Sequence, residues 1–131
     1  MEKVFDKAFI DMMMAQAAEN PRKRQNHDLR NSAADTSQRM MNALLPETQV
    51  PIHRHEDTAE TVICLSGRLV EILYEEIRGA DGQPGYHEVS RTLPSPAEGV
   101  HGMQVPAGAW HNIEVLEPSV IFEAKDGAYK G

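Results

Sequence analysis

From residue 37 onward the chain is a succession of short β-type segments, 37–44, 49–54, 61–65, 68–76, 86–93, 102–105, 111–116 and 119–125, with turn signals between them and no helical stretch among them. Strands that follow one another at this spacing cannot be covered by crossover helices, so they must close on themselves as a sandwich or barrel. Asp81-Gly82 and Pro84-Gly85 mark a hairpin between the fourth and fifth segments. Glu117-Pro118-Ser119 reads as the turn joining the last two. The expected architecture is all-β: a jelly-roll barrel of about eight strands preceded by one N-terminal α-helix.

That helix is expected over residues 3–19. Val4, Phe5, Ala8, Phe9, Met12 and Met13 recur at three- and four-residue spacing, and Asn20-Pro21 supplies a stop. The run Met12, Met13, Met14 reads as a core or dimer contact in preference to an adaptable binding surface. Residues 21–36 are polar without periodicity and read as an irregular connection carrying Arg24, Asn26 and His27. The division is therefore a helix and arm over 1–36 and a barrel over 37–131, one structural domain overall. A chain of this length buries roughly two thirds of its unfolded surface.

The chemistry concentrates in two blocks. In the first, Pro51-Ile52-His53-Arg54-His55 is followed by Glu60, an apolar run and Gly67. On a strand, residues two apart share a face, so His53 and His55 aim at one point and Arg54 aims away. In the second, Pro106 and Gly108 form a turn just before Trp110 and His111. Three imidazoles and a carboxylate suit one divalent transition metal ion, Zn, Fe, Mn or Ni, whereas an oxygen-only set would suggest Mg or Ca. The plainer alternative is a scatter of surface and core histidines in a chain with six of them. Four protein ligands nearly close a tetrahedral zinc, while an octahedral ion keeps two positions open for water or substrate.

These blocks resemble the two motifs of the cupins. His53, His55, Glu60 and Gly67 match the first motif, and Pro106, Gly108 and His111 match the second. Glu47 and Val100 stand where the motifs open on glycine, with Gly99 one place early, and Val115 replaces a closing Asn. None of these departures removes a ligand. Arg24, Asn26, His27, Asp35, Gln38, Arg39 and Met40, the 51–55 block and the 122–129 stretch are similar to the WbuC family of small cupin-fold metalloproteins. That resemblance implies a bacterial protein whose relatives are encoded among genes for surface polysaccharide synthesis; it implies no established reaction.

Further candidates surround the ligands. Arg24 and His27 on the arm, and Gln38 and Arg39 on the strand feeding the barrel, offer an anion clamp for a substrate phosphate or carboxylate. The competing reading has Arg24 and Arg39 pair with Asp35 or other carboxylates to fasten the arm. Lys125 is a substrate-binding candidate too, although an outward, solvated lysine is the default. His87 and His101 read as surface residues, Trp110 as packing on the face opposite His111, and Cys64 as a core residue.

The net charge of -7 argues against nucleic acid as a partner. No stretch reaches the roughly 20 apolar residues that cross a bilayer. Asp6 and Asp11 interrupt any signal-like apolar core, and a lone cysteine fits a reducing compartment, so the expected location is the cytoplasm. The apolar helix stripe makes a homodimer the expected assembly. Two functions stay open: a metal-dependent isomerase or epimerase acting on a small-molecule sugar derivative, and a noncatalytic metal- or sugar-binding module with a structural ion.

Overall fold

Asp6 decides where the helix starts. Its carboxylate accepts a hydrogen bond from the Phe9 N–H at 2.9 Å and satisfies an amide that the first helical turn leaves without a partner. In the computed structural model, which describes residues 2–127, helix α1 therefore spans Lys7–Glu19, four residues later than its apolar spacing suggests, and ends at the extended Asn20. Six antiparallel strands follow: β1 (Arg24–Asp28), β2 (Ser37–Leu44), β3 (Glu60–Arg78), β4 (Pro84–Thr92), β5 (Gly102–Val105) and β6 (Trp110–Asp126).

Strands β2 and β5 keep the bounds expected of them. Three expectations are corrected. The arm is not irregular throughout, because β1 pairs along β2 from Arg24 opposite Leu44 to Asp28 opposite Met40. Residues 49–54 form no strand; only His53 bridges to His111. Finally, 61–65 and 68–76 are one strand, and so are 111–116 and 119–125. Gly67 and Pro118, read as turn-formers, instead occupy facing irregularities in β3 and β6, where the register shifts between Cys64 and Leu69. Gly67 has φ +97°, and a Cβ there would lie 2.3 Å from the Pro118 carbonyl oxygen and 2.4 Å from Ser119 Oγ. No other residue fits that corner.

The shared corner builds the barrel. Before Gly67, β3 pairs with β5 and with the last part of β6, which in turn pairs with β2. Beyond it, β3 pairs with β4 and with the first part of β6. Two long strands thus each contribute to both sheets, the jelly-roll solution to closing an antiparallel sheet. The fold is all-β, a cupin double-stranded jelly-roll barrel with one helix.

Each sheet residue's parity then fixes its environment. On the outer face Met41, Ala43 and Val120 pack against Met13 and Ala17 of α1, with Phe9, Ile10, Met14 and Phe122 around them. The helix stripe thus covers its own chain's sheet. On the inner face Leu44, Val62, Cys64, Leu69, Val115 and Ile121 form a compact apolar cluster. Each such side chain, fully buried, contributes about 1.5–3 kcal/mol of transfer free energy. Cys64 is a core residue as expected, and burial pushes its thiol pKa up. No helix among the described residues is long and apolar enough to cross a membrane.

Candidate metal centre

The backbone brings the two histidine blocks together. His53 N–H donates to the His111 carbonyl at 3.0 Å and His111 N–H donates to the His53 carbonyl at 2.8 Å. Residues that exchange both bonds stand directly opposite and project to the same side. Gly108, at φ +80°, turns the chain so that its N–H reaches the His55 carbonyl at 2.8 Å. His55, two positions beyond His53, joins the same face. The ring centroids lie 4.2 Å apart for His53 and His111, 5.2 Å for His53 and His55, and 5.5 Å for His55 and His111.

The ring nitrogens are oriented as well as gathered. His53 Nδ1 lies 2.9 Å from the Pro51 carbonyl and His111 Nδ1 lies 3.0 Å from the Ala109 carbonyl. A carbonyl only accepts, so each Nδ1 carries a proton, and in the neutral imidazole that leaves the lone pair on Nε2. His111 is 1% exposed and its Nε2 has no hydrogen-bond partner. Burial is also the main cause that lowers the His111 pKa, which favours the neutral imidazole. One ligand atom from each of His53, His55 and His111 falls within 4.8 Å of the others. An orphaned, neutral, buried nitrogen in such a trio is the chemistry a divalent metal satisfies, and these three residues fit one.

Glu60 stands beside the trio. Its Oε2 lies 2.9 Å from His55 Nε2. Glu60 is not among the residues whose ligand atoms all lie within 4.8 Å of one another, so the structure gathers the three histidines and leaves the carboxylate beside them, against His55. Burial pushes the Glu60 pKa up, but the hydrogen bond and charge of His55 and a hydrogen bond from Glu123 outweigh it and leave the pKa lowered.

Around this centre the barrel interior is polar. Gln38, Asn42 and Lys125 are buried on the inner face of β2 and β6. Lys125 is thus inward, against the default for lysine, with Nζ donating to the Gly127 carbonyl at 2.8 Å. Two acids escaped the sequence reading. Glu71 is 1% exposed, neither of its oxygens has a hydrogen-bond partner, and burial, with the charges of Glu60 and Glu123, drives its pKa up to about 9. Glu123 is likewise raised, chiefly by desolvation and next by Glu60, and it accepts a hydrogen bond from Asn42. Parity was the available signal, since Glu71 alternates with Leu69, and Glu123 with Ile121.

A cavity of about 600 Å³ opens beside the histidines, bordered by His53, His55, Arg54, Trp110 and Lys125 among others. Trp110 packs on Tyr86, with ring centroids 5.2 Å apart, and lies under the Arg54 guanidinium at 4.6 Å, while also forming part of this wall. The other candidates lie elsewhere. Arg39 pairs with Asp35 at 3.0 Å and reaches the Leu29 carbonyl, so it fastens the arm. His27 sits against Phe9 of the helix and Lys3. Arg24 does not border the cavity, although its charge reaches Glu123. The 122–129 stretch is described only as far as Gly127, so Tyr129 lies outside the described residues.

Solved structures share this architecture. TT1209 from Thermus thermophilus superposes with a TM-score of 0.62 at 20% identity, covering 96% of this chain and 98% of its own. KdgF from Halomonas sp. gives 0.59 at 15% identity, covering 85% of each chain. The ribosomal oxygenase YcfD from Escherichia coli, solved with cobalt and 2-oxoglutarate, gives 0.54 at 17% identity over 71% of this chain. This chain spans only 24% of that enzyme's length. At these identities the likeness establishes the cupin fold alone. No curated protein matches the sequence. A family profile does match, over residues 5–81, more than half of the chain, and by that match the chain belongs to the family described as domain of unknown function (DUF6016).

Proposed function

We propose that this chain is a metal-dependent enzyme acting on a sugar derivative, with His53, His55, His111 and Glu60 holding one divalent transition ion and isomerisation or epimerisation as the reaction type. The observation that carries this reading is the cavity of about 600 Å³ that opens directly on His53 and His55, within the range of small-molecule sites. A purely structural ion needs no such access. YcfD, solved with cobalt, supports a divalent metal in a site on this fold.

When bound, a divalent ion supplies Lewis acidity to a carbonyl or hydroxyl oxygen of the ligand. The residues do the rest. Lys125, buried in the cavity wall, presents a cation to an oxygen of the substrate, and the Trp110 ring gives an apolar wall for a sugar face. The resemblance to WbuC-like proteins favours a role in bacterial surface polysaccharide synthesis and the lone cysteine a reducing, cytoplasmic setting, with the arm over 1–36 and the barrel over 37–131 acting as one unit. A homodimer is part of this proposal, and sedimentation of the full chain as a monomer would reject it.

The test is binding of a panel of nucleotide sugars to the metal-loaded chain, followed by NMR in D₂O. Metal-dependent binding of one member, with deuterium appearing at its epimerised or isomerised carbon, is expected. Metal-dependent binding without exchange would instead support a noncatalytic sugar-binding module, and no metal-dependent binding would reject the substrate class.

A further inference from the structure

The wall of the cavity holds a guanidinium that strand alternation would turn away from it. Residues 49–54 form no strand and only His53 bridges to His111, so Arg54 escapes the two-residue alternation and borders the same cavity as His53 and His55. Its guanidinium carbon lies 4.6 Å from the centre of the Trp110 ring, which is itself part of the wall and packs on Tyr86. Arg54 Nη2 donates to Glu56 Oε1 at 2.9 Å, and among the described residues its other N–H donors have no hydrogen-bond partner. The Arg54 side chain is 37% exposed and that of Glu56 70%, so solvent screens their ion pair and it contributes little.

An aromatic face fixes the plane of a guanidinium without using any of its donors. The planar fork of N–H groups then matches the paired oxygens of a carboxylate or a phosphate. Glu56, a carboxylate of the chain itself, holds one part of that fork through a bond weak enough to be exchanged. Lys125 is the second cation of the wall, and the acids Asp57 and Asp126 disfavour an anion placed away from these two. We propose that Arg54 is a specificity-determining residue that binds an anionic group of the substrate, a carboxylate or a phosphate, in the cavity beside the histidines. Arg54 recognises that group and takes no part at the ion. The inference deepens the sugar reading of this cavity and rests on it.

Trp110 is the single tryptophan of the chain and lies in the wall, so its fluorescence reports binding in the cavity. Titration of the metal-loaded full chain with D-glucuronate, D-glucose 1-phosphate and D-glucose tests both levels. One of the two anionic sugars should bind about 10- to 100-fold more tightly than glucose, the effect of hydrogen bonds to a charged group, and its identity distinguishes a carboxylate from a phosphate. Arg54→Met should bring that sugar to the affinity of glucose, and Arg54→Lys, which keeps the charge without the fork, should fall between. Glu56→Gln, which removes the internal rival, should tighten binding of the anionic sugar about 2- to 5-fold and leave glucose unchanged, a gain that a merely structural Arg54 would not give. A preference for the anionic sugar that survives in Arg54→Met, or the absence of that gain in Glu56→Gln, would overturn the inference. Equal affinity of the parent for all three sugars would also overturn it and leave the sugar reading standing. No binding of any of the three would overturn both.

Discussion

The two ends of the barrel interior are built from the same strands and follow opposite rules. Toward the Gly67 and Pro118 corner, Leu44, Val62, Cys64, Leu69, Val115 and Ile121 pack without a polar group among them. At the other end, Gln38, Asn42, Glu60, Glu71, His111 and Lys125 are just as inaccessible and include four titratable side chains. Along β3 the inner face runs Glu60, Val62, Cys64, then past the corner Leu69 and Glu71; along β6 it runs His111, Ile113, Val115, then past the corner Ile121, Glu123 and Lys125. Each long strand leaves the polar end, crosses the apolar layer, turns and returns. One end carries the free energy of the fold, and the other accepts a cost in exchange for a site.

Substitutions at the two ends should therefore differ in sign. Leu69→Ala, in the fully buried apolar layer, should destabilise the protein by about 2–5 kcal/mol in denaturant melts, with or without added metal. A loss below about 1 kcal/mol would show that this layer is not the core. Glu71→Leu should do the opposite in chelator-treated protein, stabilising it by about 1–3 kcal/mol, because a buried carboxyl without partners is replaced by an apolar side chain. A lower melting temperature in that variant would assign Glu71 a structural role.

The same residue sharpens the contrast through pH. The folded chain holds the Glu71 proton up to about pH 9, whereas the unfolded chain releases it near the ordinary value of 4.5. The folded state then binds more protons than the unfolded state between these limits, so stability falls as pH rises across that window. The raised pKa of Glu123 acts in the same sense. Melting temperatures of the metal-free parent from about pH 7 to 8.5, above the range in which the lowered pKa of His111 makes stability rise with pH, should decline, and the decline should be shallower in Glu71→Leu. Identical slopes would place Glu71 in a more solvated setting than its burial indicates.

Sequence alone made the metal trio legible because the two-residue spacing of His53 and His55 and the Pro-x-Gly turn before His111 are local features, and they survive although residues 49–54 form no strand and only His53 bridges to His111. It also showed β2 and β5, whose ends coincide with strong turn residues. It could not show that Gly67 and Pro118 are bulges, since a turn residue becomes a corner only when a second strand stands opposite it. Strand β1, Arg-Gln-Asn-His-Asp, lacks an apolar face because it is an edge, and edges are polar by necessity. Lys125, Glu71 and Glu123 all follow the inward parity of their strands, and for Lys125 the prior against buried charge outweighed it. That prior fails where a protein builds a site.

The central claim is that His53, His55 and His111 meet around one divalent ion. Elemental analysis of protein purified without chelators or metal-affinity columns, compared with His111→Ala prepared identically, tests it most directly. We predict about one equivalent of a single transition metal per parent chain and a large loss in the variant, with the metal-dependent part of the melting temperature lost alongside it. Equal metal content in the two proteins, or a parent that takes up no divalent ion on titration, would contradict the account.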